Sequence, residues 1–175
     1  MQVCLITIKK NSVNRADLIP TKIFTLPLLL QKLAQWRVHN KKVAFTNGVF
    51  DILHQGHIFS LSQAAKEADY LIVGLNADAS VKRLKGDSRP VNNQESRALI
   101  IASLMMVDAV VIFEEDTPLQ LIKAVMPAVL IKGGDYTIEQ IVGAKEVMEN
   151  GGRVVINPVL DGFSTTNTIK KAKNG

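Results

Sequence analysis

A single cysteine, Cys4, occurs in 175 residues, which excludes an internal disulfide framework and suits a reducing compartment. No apolar run reaches the ~18 residues that mark a membrane span. The first charges, Lys9 and Lys10, follow a short apolar run instead of preceding it, the wrong order for a secretory signal. The expectations are therefore no membrane association and a cytoplasmic location. Neither a Walker A loop nor a Gly-x-Gly-x-x-Gly fingerprint is present, so a phosphate site in this chain needs another design. Aromatic residues make up only 5%, too few for the base-stacking platforms of a nucleic-acid binder. Acidic residues are the minority charge, 16 against 21 Lys and Arg, for a net charge of +5. The cations are dispersed except for the tail Lys170-Lys171-Ala172-Lys173, a pattern that favours a pocket for small polyanions over a nucleic-acid surface.

The length suits one domain with a proper core, and 47% hydrophobic with 21% charged residues is ordinary globular composition. There is no internal repeat, low-complexity segment or long linker. Residues 1–22 show no clear period and read as an N-terminal extension, leaving 23–175 as the domain. Thr25 offers an N-cap with Pro27 in the first turn, and Leu26, Leu29, Leu30, Leu33 and Trp36 follow helical spacing over 26–38. Apolar runs at 43–46, 70–75, 109–113, 128–132 and 153–156 read as five strands. Helices are expected over 54–68, from Asn92 to Met106 with Asn92-x-x-Glu95 as capping box, over 118–125 and 137–149, and from Ser164 into the tail. Strands alternating with helices predict a Rossmann-like, doubly wound, five-stranded parallel α/β sheet with helices on both faces.

The segment Val43 to His57 is the most informative. An apolar strand breaks at the turn signal Asn47-Gly48 and runs into His54-x-Gly56-His57 at a helix start. Strand, tight turn and helix start form an anion site, because the N–H groups of the first helical turn point at the ligand and glycine admits close approach. Two of the chain's three histidines stand here, and two imidazoles at one helix start can hold one phosphate chain. Two bland readings compete: a solvated helix start, or metal ligands at i and i+3. A zinc site wants three or four ligands, and only Cys4 and His39 remain as soft candidates, far off in sequence.

In such sheets the ligand lies beyond the carboxyl ends of the strands. Four of the five connections there are polar, small or phosphate-friendly: Asn47 to His57, Asn76 to Ser80, Lys132 to Tyr136, and Ser164-Thr165-Thr166 beyond Asp161-Gly162-Phe163. The remaining one carries Glu114, Glu115 and Asp116. The stretch Lys82 to Pro90 reads as a basic loop with a mobile Gly86-Asp87-Ser88, in which Lys85 and Arg89 are placed to neutralise a triphosphate. Arg97, on the next helix, is a further candidate cation; an ordinary solvated loop and surface arginine are the plain alternatives. Ser164-Thr165-Thr166 caps a helix in either reading. Lys132-Gly133-Gly134-Asp135 is a turn whose glycines suit close approach of a base or sugar.

The motifs Phe45-Thr46-Asn47-Gly48-x-Phe50-Asp51-x-x-His54-x-Gly56-His57, Asn76-x-Asp78-x-Ser80-Val81, Leu84-Lys85-Gly86-x-x-Arg89-Pro90-Val91, Arg97-Ala98, Lys132-Gly133-Gly134-Asp135 and Ser164-Thr165-Thr166 resemble the His-x-Gly-His nucleotidyltransferase superfamily. Over about residues 22–169 the nearest likeness is the heptose 1-phosphate adenylyltransferases. The resemblance implies adenylyl transfer from ATP to a heptose 1-phosphate, with magnesium accompanying ATP, no protein metal site and a homo-oligomer. It implies His54, His57, Lys85 and Arg97 as catalytic residues. Thr46, Asn47, Gly48, Val49, Phe50, Gly56, Lys132, Gly133, Ser164, Thr165 and Thr166 would bind nucleotide, and Asp51, Asn76, Asp78, Arg89 and Asp135 would bind the sugar phosphate. The chain departs from the pattern at Val49, where relatives often have Cys, and at Tyr136, where they often have Trp. No sugar-kinase segment is recognisable, so another enzyme is expected to supply the phosphorylated sugar. The rivals are a CTP-dependent cytidylyltransferase acting on glycerol 3-phosphate or a similar alcohol phosphate, and a nucleotide-binding protein without catalysis.

Overall fold

The structure, a computed structural model, describes residues 14–158 and Ile169. Among these, six strands form one all-parallel sheet: β1 (Ile23–Phe24), β2 (Val43–Gly48), β3 (Tyr70–Asn76), β4 (Ala109–Phe113), β5 (Val129–Gly133) and β6 (Arg153–Asn157), in the order β1-β4-β3-β2-β5-β6. The expected α/β sheet is thus present with six strands, not five. The extra strand is two residues long and pairs Ile23 with Val110 and Phe24 with Val111. Two residues carry no periodicity, so pairing with β4 alone reveals it. Before it, Arg15–Leu18 and Pro20–Lys22 form 3-10 turns. The Lys22 ammonium donates to the carbonyls of Leu104 and Val107 at 3.2 and 2.8 Å, which fastens this entry segment to the body.

The helices are α1 (Leu26–Val38), α2 (Gln55–Ala65), α3 (Asp78–Lys85), α4 (Gln94–Ala102), α5 (Leu119–Val125) and α6 (Ala144–Glu149). Alternate strand residues serve opposite layers, as the pleat requires. Val43, Phe45, Ile72, Val111 and Leu130 pack with α1, α5 and α6, whereas Ala44, Leu71, Val73, Val110 and Ile131 pack with α2 and α4. On the first face Trp36 stacks on Tyr70 at 4.1 Å between ring centroids. No described helix is long and apolar enough to cross a membrane.

Three helix expectations change, each for a local reason. The first half of the supposed basic loop is α3, which ends at Gly86 with φ 91°. Helix α4 begins two residues late, because Asn92 uses its side-chain amide to donate to the Asp51 carbonyl at 2.7 Å while Asn93 supplies the cap, accepting from the Ser96 N–H at 2.8 Å. The expected helix over 137–149 is a 3-10 turn, Ile138–Gln140, followed by α6. Gly143, at φ 84°, breaks the two apart, since that left-handed backbone cannot continue a helix.

Candidate active site

The winding of the sheet, not the strand direction, reverses between β2 and β5: β3, β4 and β1 lie to one side of β2, and β5 and β6 to the other. That is where an open parallel sheet leaves a crevice at its carboxyl edge. The crevice has two adjoining lobes. The first, about 290 Å³, is lined by Thr46, Asn47, Gly48, Val49, Phe50, His54, Gly56, His57, Lys132 and Gly133, together with Ser60, Leu61, Tyr136 and Pro158. The second, about 370 Å³, shares Asn47, Gly48, Val49, Lys132 and Tyr136, and continues over Asn76, Leu84, Asp116, Thr117, Pro118, Leu130, Gln140, Ile141 and Val142.

The first lobe is built on the start of α2. His54 is its N-cap in extended conformation, and His57 lies one turn on. The rings stack at 3.8 Å between centroids with planes 25° apart, and the His54 N–H donates to His57 Nδ1 at 3.4 Å. Accepting at Nδ1 leaves the proton of a neutral His57 on Nε2. Burial, and secondarily the neighbouring His54, pushes the His57 pKa down to about 4; burial also lowers that of His54. At neutral pH His57 is therefore an uncharged donor beside a helix start whose N–H groups attract anions. Across the lobe, Gly133 has no Cβ to press on Ser60, whose Oγ would lie 3.2 Å from one.

A second polar cluster lies beneath the lobes and is closed on itself. The buried Asp51 carboxylate accepts from Arg89 Nε and from the N–H groups of Val91 and Asn92 at 2.7 and 3.0 Å. Arg97 is 0% exposed. Its guanidinium donates to the carbonyls of Asn92 and Val49 at 3.0 and 2.7 Å and to Asp78 Oδ1 at 2.6 Å. Arg97, expected to face phosphate, has its donors engaged in protein, and Asp51, Asp78 and Arg89 belong to the same network and not to the lobe walls. Phe50 sits between the two anchored residues Val49 and Asp51 at φ 47°, a conformation a bulky side chain holds only when its neighbours fix it. Its ring lies 5.3 Å from that of His57, so the network supports the histidine lobe from below.

Of the other expected residues, Asn76 donates to Ser80 Oγ at 3.1 Å and still lines the second lobe. Lys85 ends α3 next to the lobe residue Leu84, and Asp135 is exposed on the turn after β5. Ser164, Thr165 and Thr166, the last expected helix apart from Ile169, and the basic tail lie outside the described residues. Sequence reasoning placed Asp116 and Tyr136 in the connections at this edge without assigning them to a wall, and missed Ser60, Thr117, Gln140 and the residues before Gly143. Gly143 was the available signal, since an unbroken helix would not have left 141–142 to line a lobe. Among the described residues no group of three or more His, Cys, Asp or Glu is placed to hold a metal.

A parallel α/β sheet with stacked histidines at a helix start on its switch point has the form of a nucleotide-binding fold. The sequence matches the family described as Cytidylyltransferase-like over residues 45–171, and the chain belongs to that family. It is 57% identical over 144 residues to the bifunctional protein HldE of Rhodopseudomonas palustris (strain BisB5), covering 82% of this chain and 29% of that protein. With its counterpart from Rhodospirillum rubrum the identity is 53% over 141 residues, or 81% and 28% of the two chains. The chain thus spans less than a third of the length of these relatives. Among solved structures, the lipopolysaccharide core biosynthesis protein from Thermoplasma volcanium matches with TM-score 0.55 and 28% identity, over 69% of this chain and 97% of that one. Pantoate-beta-alanine ligase from Francisella tularensis matches with TM-score 0.59 at 16% identity, over 87% and 76%, a likeness of fold alone.

Proposed function

We propose that the chain transfers the adenylyl group of ATP to a heptose 1-phosphate, giving ADP-heptose and pyrophosphate. The observation that carries this is the pair of neutral, stacked histidines at the start of α2, opening onto a second lobe that shares a wall with the first. The nucleotide's phosphates occupy the histidine lobe and the sugar the other. A phosphate oxygen of the sugar attacks the α-phosphorus of ATP; that P–O bond forms as the bond from the α-phosphorus to the bridging oxygen breaks, and pyrophosphate leaves. No covalent enzyme intermediate is required, so positioning and charge stabilisation supply the rate. His57, as a neutral Nε2–H donor, and His54 bind the phosphate oxygens as charge builds on them. Lys85 and the segment after it neutralise the outer phosphates. Magnesium bound to those phosphates supplies further charge neutralisation of the leaving pyrophosphate. The second lobe offers Asp116, Thr117, Gln140 and the Tyr136 ring to a polyol. The resemblance to heptose 1-phosphate adenylyltransferases and the identity to the HldE proteins support the choice of sugar.

Pyrophosphate release with magnesium tests the proposal, offering ATP and CTP against heptose 1-phosphate and glycerol 3-phosphate. Release with ATP and the heptose phosphate alone is expected. Release with CTP and glycerol 3-phosphate would keep the chemistry and replace the substrates, and binding of nucleotide without release from any pair would leave a binding protein.

A further inference from the structure

We infer that Lys132 is a catalytic residue whose ammonium stands between the two lobes and bridges the sugar's phosphate to the α-phosphate of the nucleotide. This rests on the reading under Proposed function and goes beyond it by assigning the charge at the point of transfer. Two anions have to meet in this reaction, and their mutual repulsion opposes the attack. Lys132 is the one Lys or Arg among the described residues lining either lobe, and it lines both. Strand alternation explains its place. Lys132 shares the parity of Leu130, which packs on the first face, while Ile131 and Gly133 are turned to α2. The side chain therefore rises at the boundary of the lobes.

The other lysines show what a structural role looks like here. Lys22 is held by two carbonyls and Lys41 by Asp69 at 2.9 Å. The Lys132 ammonium has no hydrogen bond or ion pair among the described residues; the Tyr136 ring lies beside it, with Nζ 5.8 Å from the centroid. The neighbouring acid does not serve as its counter-ion, because Asp116 is paired with Arg83 at 2.7 Å. The titratable groups facing the cleft are His54 and His57 from α2, Asp116 from the connection after β4 and Tyr136 from the turn after β5. Partial burial lowers the Lys132 pKa below the ordinary lysine range. A desolvated ammonium with no partner among the described residues gains most from an anionic ligand.

The test compares wild type, Lys132→Met, Lys132→Arg and His57→Ala in the pyrophosphate-release assay with ATP and heptose 1-phosphate, alongside ATP binding measured separately. Lys132→Met should lose ~10²–10³ in kcat, the usual effect of one preorganised donor at a reacting group, with ATP affinity changed by no more than about 3-fold. Lys132→Arg should recover part of the loss. In wild type, kcat/KM should fall as pH rises through the lowered Lys132 pKa, and in Lys132→Arg that alkaline limb should move up, because arginine keeps its charge. Turnover by Lys132→Met within about 3-fold of wild type, or an alkaline limb identical in wild type and Lys132→Arg, overturns the inference while leaving the proposed function intact. A wild type silent with every substrate pair overturns both.

Discussion

Two polar clusters stand at the carboxyl edge of the sheet, joined through the contact of Phe50 with His57, and they differ in where their hydrogen bonds end. Around Asp51 and Arg97 the donors and acceptors meet inside the protein: three donors converge on one buried carboxylate, and three guanidinium nitrogens each find an oxygen. At His57 and Lys132 the protein holds the groups in place, by a ring stack and a backbone N–H in one case and an aromatic ring in the other, and leaves their donors to the cleft. The first arrangement makes a frame and the second a site. Burying a charge is costly unless it is paired. Exposure to a ligand-sized cleft is what allows a charge to remain without a protein partner.

Substitutions should separate the two. The largest expected effect is on the frame: Arg97→Met should lower unfolding free energy by about 3–5 kcal/mol, since it strands Asp78 and the carbonyls of Asn92 and Val49. Denaturant titration measures this, and an unchanged midpoint would dissolve the contrast. Next comes the site: His57→Ala should reduce turnover by ~10²–10³ while far-ultraviolet circular dichroism stays as in wild type. Substantial unfolding in that variant would make His57 part of the frame. A smaller effect concerns protonation. NMR should find His57 titrating at about 4. Because the unfolded chain binds that proton at higher pH than the folded one, stability should rise with pH from about 4 to the ordinary histidine range. A midpoint in the ordinary range would mean the ring is solvated. The smallest effect is expected at the exposed Arg83–Asp116 pair at the rim, where Arg83→Ala should cost within about 1 kcal/mol and less at high salt.

The histidine lobe was legible in the sequence because its parts are contiguous. Strand, Asn47-Gly48 turn and helix start occupy fifteen successive residues from Val43 to His57, and anion binding at a helix start is a local property. Lys132 was legible as the end of an apolar run, whereas Gly133, read as part of the turn after it, still belongs to β5. For Arg97, sequence spacing shows a cation on the first turn of a helix without showing what that helix packs on. Its partners are Val49, Asn92 and Asp78, and only the first of them lies far along the chain. The short β1 was invisible for want of length, and the second lobe because the helix ending at Glu149 was read as starting at 137, about two turns before α6, through Gly143.

Composition and local pattern alone determined the alternation of buried strands and amphipathic helices, and with it a parallel α/β sheet and the helix start that attracts phosphate. These follow from periodicity and from the free N–H groups of a first turn, which need no distant partner. Tertiary structure decided which charges are spent on the frame and which remain for a ligand. That depends on burial and on partners brought from separate strands, and it placed Lys132 on the wall common to both lobes while Arg97 was closed beneath them.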